Sequence, residues 1–312
     1  MRPRIVFCGT PEFAAQSLKK LLDNDCDIIA VVTMPDKEQG RGRKLAFSPV
    51  KKLALDYELP IFQPLKATDP MFLDQLETLA PDLILVCAYG KILRKRFIGI
   101  PKFGCVNLHA SLLPQYRGPS PIQFAILNGD EETGVTTFMI DEGMDSGDII
   151  LEQRVPIATD DTTGSLHDKL AEAGAQLLYD TVKLFDHPPV KTRPQPDEKV
   201  FYTTKITPEM SVINWNACAR SVSNLIRAMN PAPGARTSYR SQILKIFSAK
   251  PIETTHSGTP GQVLYVDPEH FTVACAEGQL HIREVQLEGK SRMPARLFLL
   301  GHRLDVGDYL GG

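Results

Sequence analysis

The sequence is short of the signatures that mark the common cofactor-dependent classes. Its first apolar segment is followed by a single glycine, Gly9, and not by GxGxxG, which argues against a dinucleotide site. No GK[ST] closes the glycine-rich stretch at residues 40–44, so that stretch lacks Walker A spacing. GxSxG is absent, which removes a nucleophile elbow. The seven histidines form no HExxH or similar cluster, so no metal is expected. The six cysteines have neither metal-ligand nor redox spacing. Cys8, Cys87 and Cys105 sit in apolar runs and read as small buried hydrophobes in a reducing compartment. No run approaches about 18 apolar residues, and the first residues enter a short apolar segment of less than signal-peptide length. A cytoplasmic chain with no membrane partner is the expectation. Charge of one sign is not in excess either, with a net charge of -2. Its distribution is uneven: residues 205–312 carry 12 Lys and Arg against 9 Asp and Glu, leaving 23 against 28 for residues 1–204.

What is present is a soluble globular pattern, 312 residues long and 43% hydrophobic, which exceeds the usual size of a single core. Residues 4–8 form a short apolar run. Thr10 and Pro11 then offer an N-cap and a first helical position, and Phe13, Ala14, Ser17, Leu18, Leu21 and Leu22 recur at helical spacing before a second strand at 28–33. A strand–helix–strand unit of this kind predicts a parallel sheet with a right-handed crossover, and the helix N-terminus could hold an anion or polar ligand. Residues 34–52 interrupt the rhythm. Between Asp36 and Lys52 lie six basic residues, Arg41, Arg43 and Lys44 among them, against two acidic ones. Such a loop is either a solvated charged surface or a contact to a phosphate backbone.

Helices at 50–57 and 72–79 and strands at 60–63, 83–88 and 103–109 continue the alternation. In an open α/β sheet, ligands bind at the carboxyl ends of the strands, so residues 88–90 and 107–114 should share one rim. A helix at 121–127, strands at 135–140 and 149–155 and a long helix at 162–185 follow. Residues 187–199 contain four prolines and read as an extended linker. Beyond it a helix at 216–229 precedes five short strands, at 235–239, 243–249, 261–266, 271–276 and 279–287, with a last helix near 294–300. The expected architecture is α/β: a Rossmann-like, mostly parallel sheet with helices on both faces, then a small OB-like β-barrel. The expected divisions are a catalytic domain at 1–186, a linker at 187–204 and a barrel domain at 205–312.

Within the strand at 103–109, period-two alternation puts Asn107 and His109 on one face, just before a loop with three prolines. A lone histidine there has two readings, a satisfied structural residue or a catalytic one. The segment Asp141-Glu142-Gly143-Met144-Asp145-Ser146-Gly147-Asp148 superficially resembles a calcium loop, but its spacing is not that of an EF-hand and it lacks flanking helices. It is either a solvated turn or the source of one carboxylate facing Asn107 and His109. An amide, an imidazole and a carboxylate suit acyl-type transfer to an amine: a hydrogen bond to the oxyanion, a proton shuttle, and an acid that orients the imidazole. With no serine or cysteine nucleophile evident, direct attack by the acceptor amine is favoured over a covalent intermediate.

The run Asn107-Leu-His109-Ala-Ser111-Leu-Leu-Pro114-Gln-Tyr-Arg117-Gly118-Pro-Ser-Pro121-Ile122, taken with Asp141 to Asp148, resembles the formyltransferases that use 10-formyltetrahydrofolate, and the resemblance covers essentially the whole chain. It implies that Asn107, His109 and Asp145 are catalytic. It also implies that Ser111, Leu112, Leu113 and Pro114 lie at the folate site. The basic insertion, with Arg41 as the matching arginine and Arg43 and Lys44 beside it, would reach a tRNA acceptor stem. Tyr116 stands where other members carry Trp. The implied partners are 10-formyltetrahydrofolate as co-substrate and initiator methionyl-tRNA as acceptor, bound by a monomer. Two other readings remain at this point: a member of the same family acting on a small-molecule amine or water, and an RNA-binding protein with an inactive catalytic domain.

Overall fold

The computed structural model describes residues 2–39 and 44–311. Its elements run β1 (Ile5–Gly9), α1 (Glu12–Leu22), β2 (Ile28–Val32), β3 (Lys37–Gln39), β4 (Lys44–Ala46), α2 (Pro49–Asp56), β5 (Ile61–Phe62), α3 (Pro70–Leu79), β6 (Leu83–Cys87), α4 (Lys95–Ile98), β7 (Cys105–His109), α5 (Pro121–Asn128), β8 (Glu132–Met139), β9 (Ile149–Pro156) and α6 (Thr163–Leu184). After short 3-10 turns come α7 (Ala219–Ala228), β10 (Ala235–Tyr239), β11 (Gln242–Ile252), β12 (Val263–Val266), β13 (Phe271–Ala274), β14 (Gln279–Leu287), β15 (Met293–Pro294) and α8 (Ala295–Gly301). The chain divides into two compact units. One comprises residues 1–121, 132–156 and 167–203, and the other residues 122–131, 157–166 and 204–312.

The first unit is built on a seven-stranded sheet in the order β5-β2-β1-β6-β7-β8-β9. The first five strands are parallel, and β8 and β9 add antiparallel ladders. β1 and β6 are buried along their whole length, as expected of central parallel strands covered on both faces. Val6, Cys8, Val86 and Cys105 pack with Phe72, Leu73 and Leu76 of α3 and Phe97 of α4. On the opposite face α1 lies against β6, where Ser17 Oγ and Cys87 Sγ are 3.9 Å apart. There α6 packs so closely that a Cβ on Gly174 would come within 2.9 Å of Leu108. Thr181 Oγ1 of the same helix bonds Thr137 Oγ1 of β8 at 2.8 Å. The expected α/β sheet with helices on both faces is therefore present. One local expectation changes. Thr10 does not cap α1; Pro11 stands at the N-cap position, and the Thr10 hydroxyl donates to the Tyr89 carbonyl instead.

The second unit has one antiparallel sheet in the order β10-β11-β14-β13-β12, with β15 beside β14. It encloses a core that includes Leu244, Ile246, Val273, Leu280, Ile282 and Phe298 and the single tryptophan, Trp215. Among the described residues no ladder joins β10 to β12, but residues 307–311 fill that seam. Val263 N donates to Asp308 O and Leu310 N to Gly261 O on the β12 side, and Gly311 N donates to Ser238 O of β10. The barrel expected from five strands thus closes through a sixth, irregular segment that has no strand pattern in the sequence.

Residues 187–203 belong to the first unit and are not a free spacer. Arg193 exchanges both backbone hydrogen bonds with Ile149 of β9, and Gln195 is buried. Phe201 O accepts from Arg117 N, and Thr203 N donates to Arg117 O. The prolines keep the segment extended, but an extended backbone can also pair, and here it does.

Candidate active site

β7 ends the parallel run of the sheet, so its carboxyl end opens on the rim where such sheets hold ligands. Asn107 pairs in register with Val86 and Phe138, and His109 with Thr136. The two side chains leave the same face. Asn107 is half-buried, and its carboxamide has no protein partner among the described residues. His109 is 7% exposed and held on both sides. Its Nε2 lies 2.9 Å from the Tyr116 carbonyl, which can only accept, so Nε2 carries the hydrogen. Its Nδ1 faces Asp145 Oδ2 at 3.7 Å. That is within ion-pair reach, near its outer limit, and long for a hydrogen bond. Nδ1, the ring nitrogen left to take a proton, therefore points at a carboxylate.

Asp145 reaches this position because the loop between β8 and β9 folds back on itself. Asp145 adopts a left-handed backbone, φ 50°, which aspartate tolerates better than most residues. Gly147 lets the loop pass tightly over the end of β8: a Cβ there would sit 1.7 Å from the Met139 carbonyl oxygen. Asp141 takes the structural part of the acidic segment, its carboxylate accepting from Gly143 N and the Ser146 hydroxyl. Asp145 Oδ2 accepts from Gly118 N at 2.8 Å, a charge-assisted bond that ties the carboxylate to the loop after β7. The solvated-turn reading holds for part of this segment, while one of its four acids faces His109.

The loop after β7 is fixed by its own residues. Ser111 Oγ donates to Gln115 O at 2.6 Å, and Thr136 Oγ1 bridges Ser111 O and Leu113 N. Leu113 is buried with Phe138 and Ile149, and the Leu113–Pro114 peptide is cis. Leu112 lies over Gly134, where an added Cβ would meet its Cδ2 at 2.5 Å. Three of these four residues, Ser111, Leu113 and Pro114, are buried within the loop, so their side chains shape the rim more than they offer groups to a ligand. At the neighbouring strand end, Ala88 (φ 46°) and Gly90 (φ 86°) turn the chain sharply and send Tyr89 into the core. Burial pushes its phenol well above the ordinary tyrosine range.

Arg41 and Arg43 lie outside the described residues. Lys44 opens β4 opposite Gln39. Nearby, Lys51 and Asp36 form an ion pair at 2.6 Å, bridged by the Gln63 amide. The residues that sequence reasoning passed over are Arg117, as a structural group, and Gln195. Arg117 is 6% exposed, and its guanidinium donates to Gln195 Oε1 through Nε and Nη2, at 3.0 and 2.7 Å, and to the Tyr202 hydroxyl. No local pattern announces this pairing, because its partners are 78 and 85 residues apart. Among the described residues no group of three or more His, Cys, Asp or Glu is placed to hold a metal ion, and no helix is long and apolar enough to cross a membrane.

The chain as a whole matches known family models, relatives and solved structures. Residues 3–182 match the "Formyl transferase" family model and residues 205–303 the model "Formyl transferase, C-terminal domain". A methionyl-tRNA formyltransferase of Caldanaerobacter subterraneus is 46% identical over 98% of this chain and 99% of its own length. One of Desulforamulus reducens is 45% identical over 99% of this chain and 98% of its own. Among solved structures, an N-formyltransferase of Helicobacter canadensis in complex with folinic acid and dTDP-3-aminofucose superposes with a TM-score of 0.69 at 21% identity, over 90% of this chain and 98% of that one. HypX of Aquifex aeolicus in complex with tetrahydrofolic acid gives 0.64 at 17% identity, over 99% of this chain and 51% of that one. At those identities the structures speak for the fold alone. The chain, matched by both family models and almost end to end by such relatives, belongs to the formyl transferase family.

Proposed function

We propose that the chain transfers the formyl group of 10-formyltetrahydrofolate to the α-amino group of methionine on initiator tRNA, working as a monomer in the cytoplasm. The observation that carries the reading is 45–46% identity, over nearly the full length, to relatives named methionyl-tRNA formyltransferase, combined with an intact Asn107, His109 and Asp145 set. A member of the family acting on a small-molecule amine is disfavoured by the same relatives, because none of those quoted above 40% identity is named for such an acceptor.

In the proposed reaction the neutral amine of the methionyl group attacks the formyl carbon of the folate. A C–N bond forms, and the formyl oxygen becomes an oxyanion. The unengaged Asn107 carboxamide donates to that oxygen, an interaction that strengthens only as charge develops. His109 Nε2–H is committed to the Tyr116 carbonyl, so Nδ1 is the position that takes the proton leaving the attacking nitrogen. Asp145 then faces the imidazolium across 3.7 Å and stabilises it. Collapse of the intermediate breaks the bond to the folate N10, which takes the proton held on His109 Nδ1 as it departs, giving tetrahydrofolate and the neutral imidazole. Ser111 to Pro114 form the wall beside the folate, and Arg41, Arg43 and Lys44 contact the acceptor-stem phosphates.

Purified wild-type chain should formylate charged initiator tRNA with 10-formyltetrahydrofolate. Asn107→Ala and His109→Ala should each lower the transfer rate by about 100-fold or more, on the scale of losing one oxyanion donor or a general base, with tRNA affinity retained. Near-normal turnover of Asn107→Ala would sink the mechanism.

A further inference from the structure

The loop after β7 and the loop between β8 and β9 are joined by one side chain that neither loop contains. Gln195 comes from the extended segment after α6 and is 9% exposed. Its Nε2 donates to two carbonyls of the acidic loop, Asp145 O and Gly147 O, both at 2.8 Å. Its Oε1 accepts from Nε and Nη2 of the buried Arg117. Arg117 directly follows Tyr116, whose carbonyl holds His109 Nε2. It directly precedes Gly118, whose N–H holds the Asp145 carboxylate. The Gln195 amide therefore uses both its N–H groups and its oxygen to fix the two loops that grip the imidazole from opposite sides.

We propose that Gln195 is a positioning residue for the His109–Asp145 pair, an assignment that rests on the transfer chemistry proposed above. Only an amide fits the position. The acidic-loop side requires two donors, because both partners are carbonyls, and the Arg117 side requires an acceptor for a buried cation. A carboxylate there satisfies Arg117 but turns negative oxygens on Asp145 O and Gly147 O. An alanine leaves the guanidinium without its buried partner and frees the acidic loop. The substrates do not need to touch Gln195 for the effect, because what it sets is the placement of Asp145 against Nδ1 and of the Tyr116 carbonyl against Nε2.

Gln195→Glu is the discriminating variant, because it keeps the Arg117 pairing and with it the fold of the segment. Its melting temperature should stay within a few degrees of the wild type. Its kcat should fall about 10- to 100-fold, the scale of a small misplacement of a catalytic group. KM for the folate and for the charged tRNA should each change less than about two-fold, since no contact to either is removed. Gln195→Ala should lose as much kcat with a larger drop in melting temperature. An activity-independent readout is the long-range 1H–15N spectrum of 15N-histidine-labelled protein. In the wild type His109 should show one tautomer, protonated on Nε2, and in Gln195→Glu the two nitrogen shifts should move toward averaging. A Gln195→Glu protein that keeps both wild-type kcat and the wild-type His109 spectrum overturns the proposal. So does one whose loss lies wholly in KM. If the wild type itself transfers no formyl group to tRNA, the functional reading fails, while the spectral comparison still decides the role of Gln195.

Discussion

At the scale of single residues, the site depends on which groups are occupied and which are open. Asn107 is open, and the donor of His109 is occupied by a backbone carbonyl, so the two neighbours on β7 cannot exchange roles. The cysteines divide in the same way. Burial pushes the thiols of Cys87 and Cys105 up to about 12 and leaves them inert. Cys218, at the N-cap of α7, is lowered, chiefly by the Ser221 hydroxyl at 3.1 Å. Brief treatment of the native protein with iodoacetamide should therefore label Cys218 first, as read by peptide mass spectrometry, with Cys8, Cys87, Cys105 and Cys275 untouched until unfolding. Labelling of Cys87 at a comparable rate would contradict the packing of β6. Asn107 and His109 were legible in the sequence because alternation along a strand is a local signal. Gln195 was not legible, since its partners lie 48 and 78 residues away and its own surroundings look like a proline-rich spacer.

At the scale of elements, the acidic loop after β8 and the segment after α6 decide where the carboxylate sits. Gly147→Ala must displace one or the other of the acidic loop and the end of β8, because the new Cβ would sit 1.7 Å from a backbone oxygen. The expected result is a kcat loss of about 100-fold, comparable with a 1 Å misplacement, and a lowered melting temperature. Unchanged kinetics would mean that Asp145 is not held by this loop. The ion pair of Asp36 and Lys51 shows a second element-level effect. The Lys51 ammonium first, and then the Gln63 amide, hold the Asp36 carboxyl below its usual range. A carboxyl depressed in the folded state adds stability above its ordinary pKa and loses it as pH falls through the folded value. Asp36→Asn should thus lower the melting temperature at neutral pH, with the difference from wild type shrinking at acid pH. A constant difference across that range would assign the effect to something other than charge.

At the scale of the whole molecule, the mostly parallel first sheet and the five short strands of the second unit followed from hydrophobic rhythm, because those strands announce themselves by burial or alternation. The sheet order and the short strands β3, β4 and β15 did not. Nor did closure of the second unit. It uses residues 307–311, which are linked by backbone bonds to β12 and β10 and have no strand pattern. Leu310 is nonetheless fully packed, and removal of residues 308–312 should cost about 2–5 kcal/mol of stability, the range for emptying a large aliphatic site. That loss is measurable by urea unfolding, and an unchanged midpoint would contradict the seam. Acceptor binding belongs to this scale too. Replacement of Arg41 by alanine should weaken tRNA binding and reduce the slope of log affinity against log salt by about one phosphate contact. The most direct measurement is the single-turnover rate of formyl transfer from 10-formyltetrahydrofolate to charged initiator methionyl-tRNA, with charged elongator methionyl-tRNA and an amino sugar as parallel acceptors. The account predicts rapid formylation of the initiator and little or none of the others. Formylation of the amino sugar at the faster rate, or no transfer to the initiator, would contradict it.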